Sequence, residues 1–396
     1  MVTNPRITEW PRPGTVSLRF YLCTQCSNLM KGKVCGDFCE FTLDKGHFIT
    51  DDLMIKVEHI SKEFVSSKKY PGLKGAIKGL FSNEKVRKKA VDDISFDIEE
   101  GEIVGYIGSN GAGKSTTIKM MTGILKPTSG VCTVNGIDPS KERIENARNI
   151  GVVFGQRTQL WWDLPLSESF TILKEIYDVS DADYEERMKF LNEVLDLPEF
   201  FSQPVRTLSL GQRMRADLGA SLIHNPKVLY LDEPTIGLDL IVKDKIREAI
   251  KEINRKYNTT VILTTHDIGD IEELCSRIII IDEGHKIYDG SLRELKDTYG
   301  RTRRVTMEVS DLTLCKKTDW CSITSKDKEI LSFETDDETG TITFIFDKDK
   351  VKMSELMSPV MELTDVKDVK IQETELADIV KEIYSHGLSG LNRKGE

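Results

Sequence analysis

The sequence predicts an α/β domain built on a mixed sheet, with a helical subdomain inserted in it and a small α+β domain behind it. Three observations carry that prediction. A strand-like run, Ile103-Val104-Gly105-Tyr106-Ile107, enters a glycine-rich loop, and a helix-like run follows from Thr116 through Met121. A second short apolar run, Val228-Leu229-Tyr230-Leu231, is bounded by polar residues and Pro234, as a strand buried on both faces of a parallel sheet would be. After Gly300 the pattern changes to strand-like runs at 305–309, 330–335 and 341–346, the last two joined by the polar turn Asp337-Glu338-Thr339-Gly340.

From the N-terminus, residues 1–53 form an extension of unclear status. Its cysteines, Cys23, Cys26, Cys35 and Cys39, open with a zinc-like spacing but complete no common ligand set. Metal ligands, reduced thiols in a disordered tail, and a native start at Met54 all remain open for this segment. The first strand starts directly there, at Ile55-Lys56-Val57-Glu58-His59-Ile60. Residues 131–135 read as part of an antiparallel patch, and about 157–225 as the helical subdomain. Behind 300, Leu376, Ile379, Val380 and Ile383 follow one helical face, with Thr374 as the expected N-cap. The predicted domains are therefore 1–53, 54–300 and 301–396.

The loop Gly108-Ser109-Asn110-Gly111-Ala112-Gly113-Lys114-Ser115-Thr116 fits the pattern of a phosphate cradle. Its glycines permit backbone shapes that bring successive N–H groups onto phosphate oxygens at a positive helix N-terminus. Lys114 is expected to reach the β and γ phosphates, and Ser115 to supply a hydroxyl to Mg²⁺. At the end of the second apolar strand, Asp232 is placed to hold the metal. Glu233 follows, where an acceptor can orient and deprotonate an attacking water. The pair points to hydrolysis of the nucleotide rather than to binding alone.

With these motifs in place the chain resembles the ATP-binding cassette ATPases over roughly residues 54–300. Gln156 matches the family's Q-loop and is implied as a metal and coupling residue, although Gly155 looks like one extra residue before it. Ser209, Leu210, Gly211 and Gln212 match the signature motif, LSLGQ here where the commonest form is LSGGQ. Asp239 matches the D-loop, and His266, after the strand Val261-Ile262-Leu263-Thr264-Thr265, matches the histidine that contacts the γ-phosphate. Phe64 is the expected aromatic on adenine, with Tyr70 as its competitor.

The resemblance implies a P-loop cassette fold, ATP and Mg²⁺ as ligands, and a signature that acts on the nucleotide of a second cassette. A helix N-terminus near Ser209 brings about half a unit of positive charge to the open side of the γ-phosphate. Two chains facing head to tail would then complete two sites, a homodimer being expected. Ser209 stands 95 positions after Lys114, and the span contains no long heptad array, which argues against the chromosome-maintenance ATPases. A single phosphate loop with a single signature fits the tandem translation factors poorly.

No stretch approaches the ~18 consecutive apolar residues of a membrane span, so a transport role requires separate membrane permease subunits. The expected location is peripheral, on the cytoplasmic face of the cell membrane. The formal charge is −10, yet residues 68–89 carry eight Lys and Arg, including Lys68, Lys85 and Arg87, against Glu84 alone. This segment reads as a solvated insertion, as a contact for anionic lipid or the permease, or as a nucleic-acid contact. The adjacent Trp161 and Trp162 read either as subdomain packing or as part of a groove for a permease coupling helix. Together with Pro204-Val205-Arg206-Thr207 before the signature, they resemble an exporter branch near the daunorubicin-resistance type. These features together imply the ATPase subunit of an exporter, with no nucleic acid expected. Its rival is a soluble cassette ATPase acting on ribosomes or nucleic acid.

Overall fold

Strand pairing arranges the described part of the chain in three sheets. The structure, a computed structural model, describes residues 53–67, 85–155, 157–327 and 331–393. The four N-terminal cysteines, Tyr70, most of the basic segment and Gln156 lie outside these residues. The chain runs β1 (Leu53–Ser67), β2 (Lys85–Glu99), β3 (Ile103–Gly108), α1 (Lys114–Met121), β4 (Ser129–Val134), α2 (Arg143–Asn149) and β5 (Ile150–Phe154). Helices α3 (Leu166–Ile176), α4 (Asp181–Leu195) and α5 (Leu210–Ala220) precede β6 (Val228–Asp232). Next come α6 (Leu240–Tyr257), β7 (Thr260–Thr264), α7 (Ile268–Leu274), β8 (Arg277–Asp282), β9 (His285–Ser291) and α8 (Leu292–Tyr299). The remainder is β10 (Thr302–Val309), α9 (Leu312–Lys317), α10 (Trp320–Thr324), β11 (Leu331–Asp336), β12 (Thr341–Asp347), α11 (Met353–Leu363), β13 (Val366–Glu373) and α12 (Leu376–Arg393).

The central sheet has the order β5-β6-β7-β3-β8-β9. Its first five strands are parallel and β9 is antiparallel to β8. Alternation within each strand feeds two cores. Tyr106, Tyr230, Ile262 and Ile279 face α1 and the antiparallel sheet β2-β1-β4, while Ile107, Leu229, Leu231, Leu263 and Ile280 face the helices. Strands with both faces covered in this way read as continuous apolar runs, which is why they were legible. Each fully buried Leu or Ile contributes roughly 1.5–3 kcal/mol of transfer free energy.

The third sheet, β11-β12-β10-β13, closes its own core around Trp320, Phe344, Phe346, Met307 and Leu356. Trp320 Nε1 donates to Cys315 O at 3.0 Å, and the indole meets Phe344 edge to face at 5.0 Å. Strand β13 and helices α9 to α11 were not foreseen. Strand β13 is an edge, and its Val366-Lys367-Asp368-Val369-Lys370-Ile371 lacks the apolar alternation of a half-buried strand. Thr374 does not cap α12, which begins two residues later; its hydroxyl donates instead to Thr302 O of β10. Leu376, Ile379, Val380 and Ile383 join the helix-side core of the central sheet, so this last helix packs on the cassette.

Candidate functional site

Parallel register brings the chemistry to one edge of the central sheet. Phe154 aligns with Asp232 and Asp232 with Thr264, so the loops after β5, β6 and β7 leave side by side. Strand β3, next to β7, ends at Gly108 and delivers the glycine-rich loop to the same edge. Ligands bind at such carboxyl ends of open α/β sheets.

The loop from Gly108 to Gly113 wraps the N-terminus of α1. Gly113 precedes the helix at φ 109°, and a Cβ there would stand 2.5 Å from Ala90 O, so only glycine fits between the loop and β2. No side chain caps α1, which leaves its first N–H groups for a ligand. Lys114 is buried and turns back over the loop, donating to Gly108 O at 2.6 Å and Ser109 O at 3.2 Å. Burial lowers the lysine pKa, opposed by the nearby charges of Glu233 and Asp232. Ser109 donates to Asp282 at the end of β8, and Gly284 N donates to Ala112 O at 3.0 Å, which anchors the loop from its other side. Asn110 and Ser115 are exposed, and Thr116 is half-buried.

At the end of β6, Thr264 Oγ1 donates to one carboxylate oxygen of Asp232 at 2.5 Å. Glu233 sits at φ 58°, in the left-handed region that a side chain rarely adopts and that costs on the order of 1–3 kcal/mol. Its N–H donates to Thr264 O at 2.8 Å, which holds that conformation. Gly155, the extra residue before Gln156, explains itself here: a Cβ at 155 would lie 2.3 Å from Glu233 O. His266 Nε2 and Glu233 Oε1 are 3.0 Å apart, so these two candidate residues meet, with the imidazole half exposed.

Among the described residues, the side-chain bonds of the signature stay within the motif, and its backbone packs on the D-loop and the start of α6. Ser209 caps α5, its Oγ accepting from Gln212 N at 3.2 Å while the Gln212 side chain accepts from Ser209 N at 3.0 Å. A cap that only accepts keeps its hydroxyl proton for an outside oxygen. Asp239 caps α6 by accepting from Val242 N at 3.0 Å. A Cβ at Gly211 would lie 2.9 Å from Val242, and one at Gly237 3.3 Å from Leu210, so the signature and the D-loop form one surface. That surface exposes Leu210, Ile236, Leu240 and Ile241, the last two to 69% and 72%. Among the described residues, no hydrogen bond joins Ser209 to Gln212 with the phosphate loop of the same chain.

Phe64 lies on β1 opposite Lys88 of β2, 41% exposed, and Lys62 approaches its ring at 5.5 Å. Two residues further along β2, Ala90 abuts Gly113, so the exposed ring stands on the strand pair that flanks the phosphate loop. Trp161 and Trp162 are 38% and 49% exposed, so subdomain packing does not consume them. A cleft of about 280 Å³, which the tryptophans do not line, is bounded by Ile124, Arg143, Phe154, Arg157, Tyr177 and Asp217, among others.

Sequence reasoning missed several supporting residues. Asp217, on α5, accepts from Thr158 Oγ1 at 2.8 Å and from Gln159 N at 3.1 Å. It thereby ties the signature helix to the segment after Gln156. Burial pushes its pKa up to about 6. Asp282 stands at the end of an apolar strand, a position that marks site residues in such sheets, whereas Thr264 and Asp217 carry no local signal. Asp232 and Ser115 supply oxygens of the kind Mg²⁺ prefers, and the uncapped helix end with Lys114 matches a polyphosphate, so the donor set fits both. Among the described residues, no group of three His, Cys, Asp or Glu makes a separate metal cluster.

Comparison with known proteins agrees with this geometry. Residues 91–236 match the family model of ABC transporters. The chain is 34% identical over 218 residues, 55% of its length, to 88% of the ABC transporter ATP-binding protein NatA of Bacillus subtilis strain 168. It is 35% identical over 226 residues, 57% of its length, to 72% of the linearmycin resistance ATP-binding protein LnrL of the same organism. Among solved structures, the dimeric post-hydrolysis ATP-binding cassette MJ0796, bound to ADP and Pi, superposes with a TM-score of 0.50 at 27% identity. That likeness covers 61% of this chain and 99% of the cassette.

Proposed function

This chain belongs to the ATP-binding proteins of ABC transporters, a family of ATPases, and from that premise we propose that it drives a membrane exporter by ATP-dependent pairing of two cassettes. One observation carries the pairing. The phosphate loop, Asp232, Glu233 and His266 form a supported cluster, whereas Ser209 and Asp239 are capped, exposed and bonded only locally.

The terminal phosphates of ATP lie against the N–H groups at the start of α1, with Lys114 exchanging its loop carbonyls for phosphate oxygens. Ser115, Asp232 and Gln156 would hold Mg²⁺, whose charge would offset that of the phosphates. Glu233 orients the water and accepts its proton, and His266, 3.0 Å from Glu233, contacts the γ-phosphate. The partner's Ser209 hydroxyl and Gly211 N–H close the open flank, excluding water and lowering the local dielectric. Apolar Leu240 and Ile241 lie on the same surface and are covered in the pair. Phe64 stacks on adenine.

Among the described residues, no helix is long and apolar enough to cross a membrane. In this reading the membrane path is supplied by permease subunits. The exposed tryptophans, a few residues after Gln156 in the chain, supply a docking place for them. Export rests on the exporter-like segments around Trp161 and the signature, and on the resistance role in the name of LnrL. The working location is peripheral, on the cytoplasmic face. Copurification from membranes tests the assignment: a permease partner supports it, and ribosomes or DNA in its place would contradict it.

A further inference from the structure

Beneath the hydrolytic residues lies a buried carboxylate that the chemistry above leaves unused. Asp270, on α7, is fully buried. Its Oδ1 accepts from Arg247 Nε at 2.8 Å and pairs with Arg247 Nη2 at 2.6 Å, so the guanidinium of α6 neutralises it through one oxygen. Its Oδ2 accepts from two hydroxyls: Thr265 Oγ1 at 3.0 Å, and Thr235 Oγ1. Thr265 immediately precedes His266. Thr235 follows Glu233 and Pro234 and opens the loop that leads to Asp239. Strands β6 and β7 are neighbours, so a single oxygen receives one donor from each of the two loops that leave them.

Each loop is tied outward as well. Thr265 Oγ1 accepts from Asp267 N at 2.9 Å. Asp267 caps α7 through Gly269 N at 3.0 Å and pairs with Lys243 of α6, which holds its carboxyl below the ordinary range. On the other side, the Thr235 loop runs through Gly237, which packs against Leu210 of the signature. A chain of contacts thus leads from His266 through Asp270 to the surface that faces a second cassette.

We propose that Asp270 is a positioning residue whose Oδ2 joins the loop carrying His266 to the loop carrying Asp239, so that the hydrolytic face and the donor face of one chain change state together. The Arg247 pair needs only Oδ1, which leaves the two hydroxyl bonds as the coupling device. This inference rests on Glu233 and His266 being the hydrolytic residues, and the test separates the two ideas.

Replacing Asp270 itself would strand Arg247 in the interior, so the hydroxyls are the targets. Steady-state ATP hydrolysis by the full chain is compared for wild type, Thr235→Val, Thr265→Val, the double variant, the two Thr→Ser variants and Glu233→Gln. Each Val variant is expected to lower kcat about tenfold, with KM for ATP within about twofold of wild type. The double variant falls no further than the worse single, because either cut already separates the loops. Both Ser variants, which keep the hydroxyl, retain wild-type kcat and urea midpoint, while the Val variants show lowered midpoints but remain folded under the assay conditions. Unchanged kcat in the Val variants overturns the inference, as does a double variant that multiplies to about a hundredfold loss, or Ser variants that fail as the Val variants do. Full turnover by Glu233→Gln would instead remove the hydrolytic reading beneath it.

Discussion

The two halves of the nucleotide site are finished differently. Around the phosphate loop three charged side chains already have partners inside the chain: Lys114 on its own loop carbonyls, Asp232 on Thr264, Glu233 beside His266. Around the signature, Ser209 and Asp239 are occupied only as helix caps, and the surface they share exposes Leu240 and Ile241. The first half stores polar groups in a closed cluster that a nucleotide reorganises. The second is a pre-capped face that, among the described residues, makes no hydrogen bond to the phosphate loop of its own chain. That asymmetry is what a site divided between two molecules requires, and it can be broken from either half.

The largest effect is expected at Glu233. Glu233→Gln keeps the shape and removes the base, so turnover falls roughly a thousandfold while ATP binding persists and an ATP-bound dimer accumulates. Size-exclusion chromatography with radiolabelled ATP checks both, and full activity would take Glu233 out of its role.

Ser209→Ala separates the halves. It is expected to lower kcat about tenfold to a hundredfold while leaving ATP affinity of the dilute, unpaired chain at the wild-type value. Lost capping of α5 adds about 1 kcal/mol of destabilisation, visible in denaturant titration. A matching loss of affinity in the unpaired chain would place Ser209 on its own nucleotide and erase the asymmetry.

Trp161→Ala with Trp162→Ala sharpens the assignment of the outer surface. Removing two exposed aromatic anchors is expected to weaken binding to permease-containing membranes about tenfold or more, read by sedimentation. Undiminished binding would return the tryptophans to a packing role.

The smallest effect concerns Asp217, which ties the signature helix to the segment after Gln156. Burial raises its pKa from the ordinary 3.8 to about 6, so the folded chain keeps a proton that the unfolded chain has already released. That contribution is fully present below about pH 4 and is lost as pH rises through about 6. Between about pH 5 and pH 7.5 the wild type should therefore lose about 1 kcal/mol more unfolding free energy than Asp217→Asn. Parallel urea titrations measure it, and identical pH slopes would contradict the burial argument.

Much of this was legible before the fold. Glycine spacing, the buried strand ending at Asp232 and the order of the smaller motifs identify the phosphate half because its chemistry is local in sequence. The same locality shows Ser209 at a helix start. What could not be read is held by long-range contacts. Asp270 receives Thr235 from 35 positions away and Arg247 from 23, and Asp217 receives Thr158 from 59. No periodicity marks such meetings. In the last hundred residues, β13 escaped notice because an edge strand with Lys367, Asp368 and Lys370 exposed lacks apolar alternation, and Thr374 was misread because its hydroxyl serves β10. Gly155 is the converse case, an odd residue in the motif whose reason, the carbonyl of Glu233, is visible only in three dimensions.

Complementation between two damaged chains tests the division of the site most directly. Lys114→Ala and Ser209→Ala proteins are each assayed alone and then mixed. Alone, each pair contains two defective sites; in a mixed pair one site carries both lesions and the other carries none. Random pairing makes half the dimers mixed, each with one intact site of two, so recovery of about a quarter of the wild-type rate is predicted. A mixture whose rate stays at the average of the two separate proteins, under conditions where mixed dimers are demonstrably present, would contradict the account.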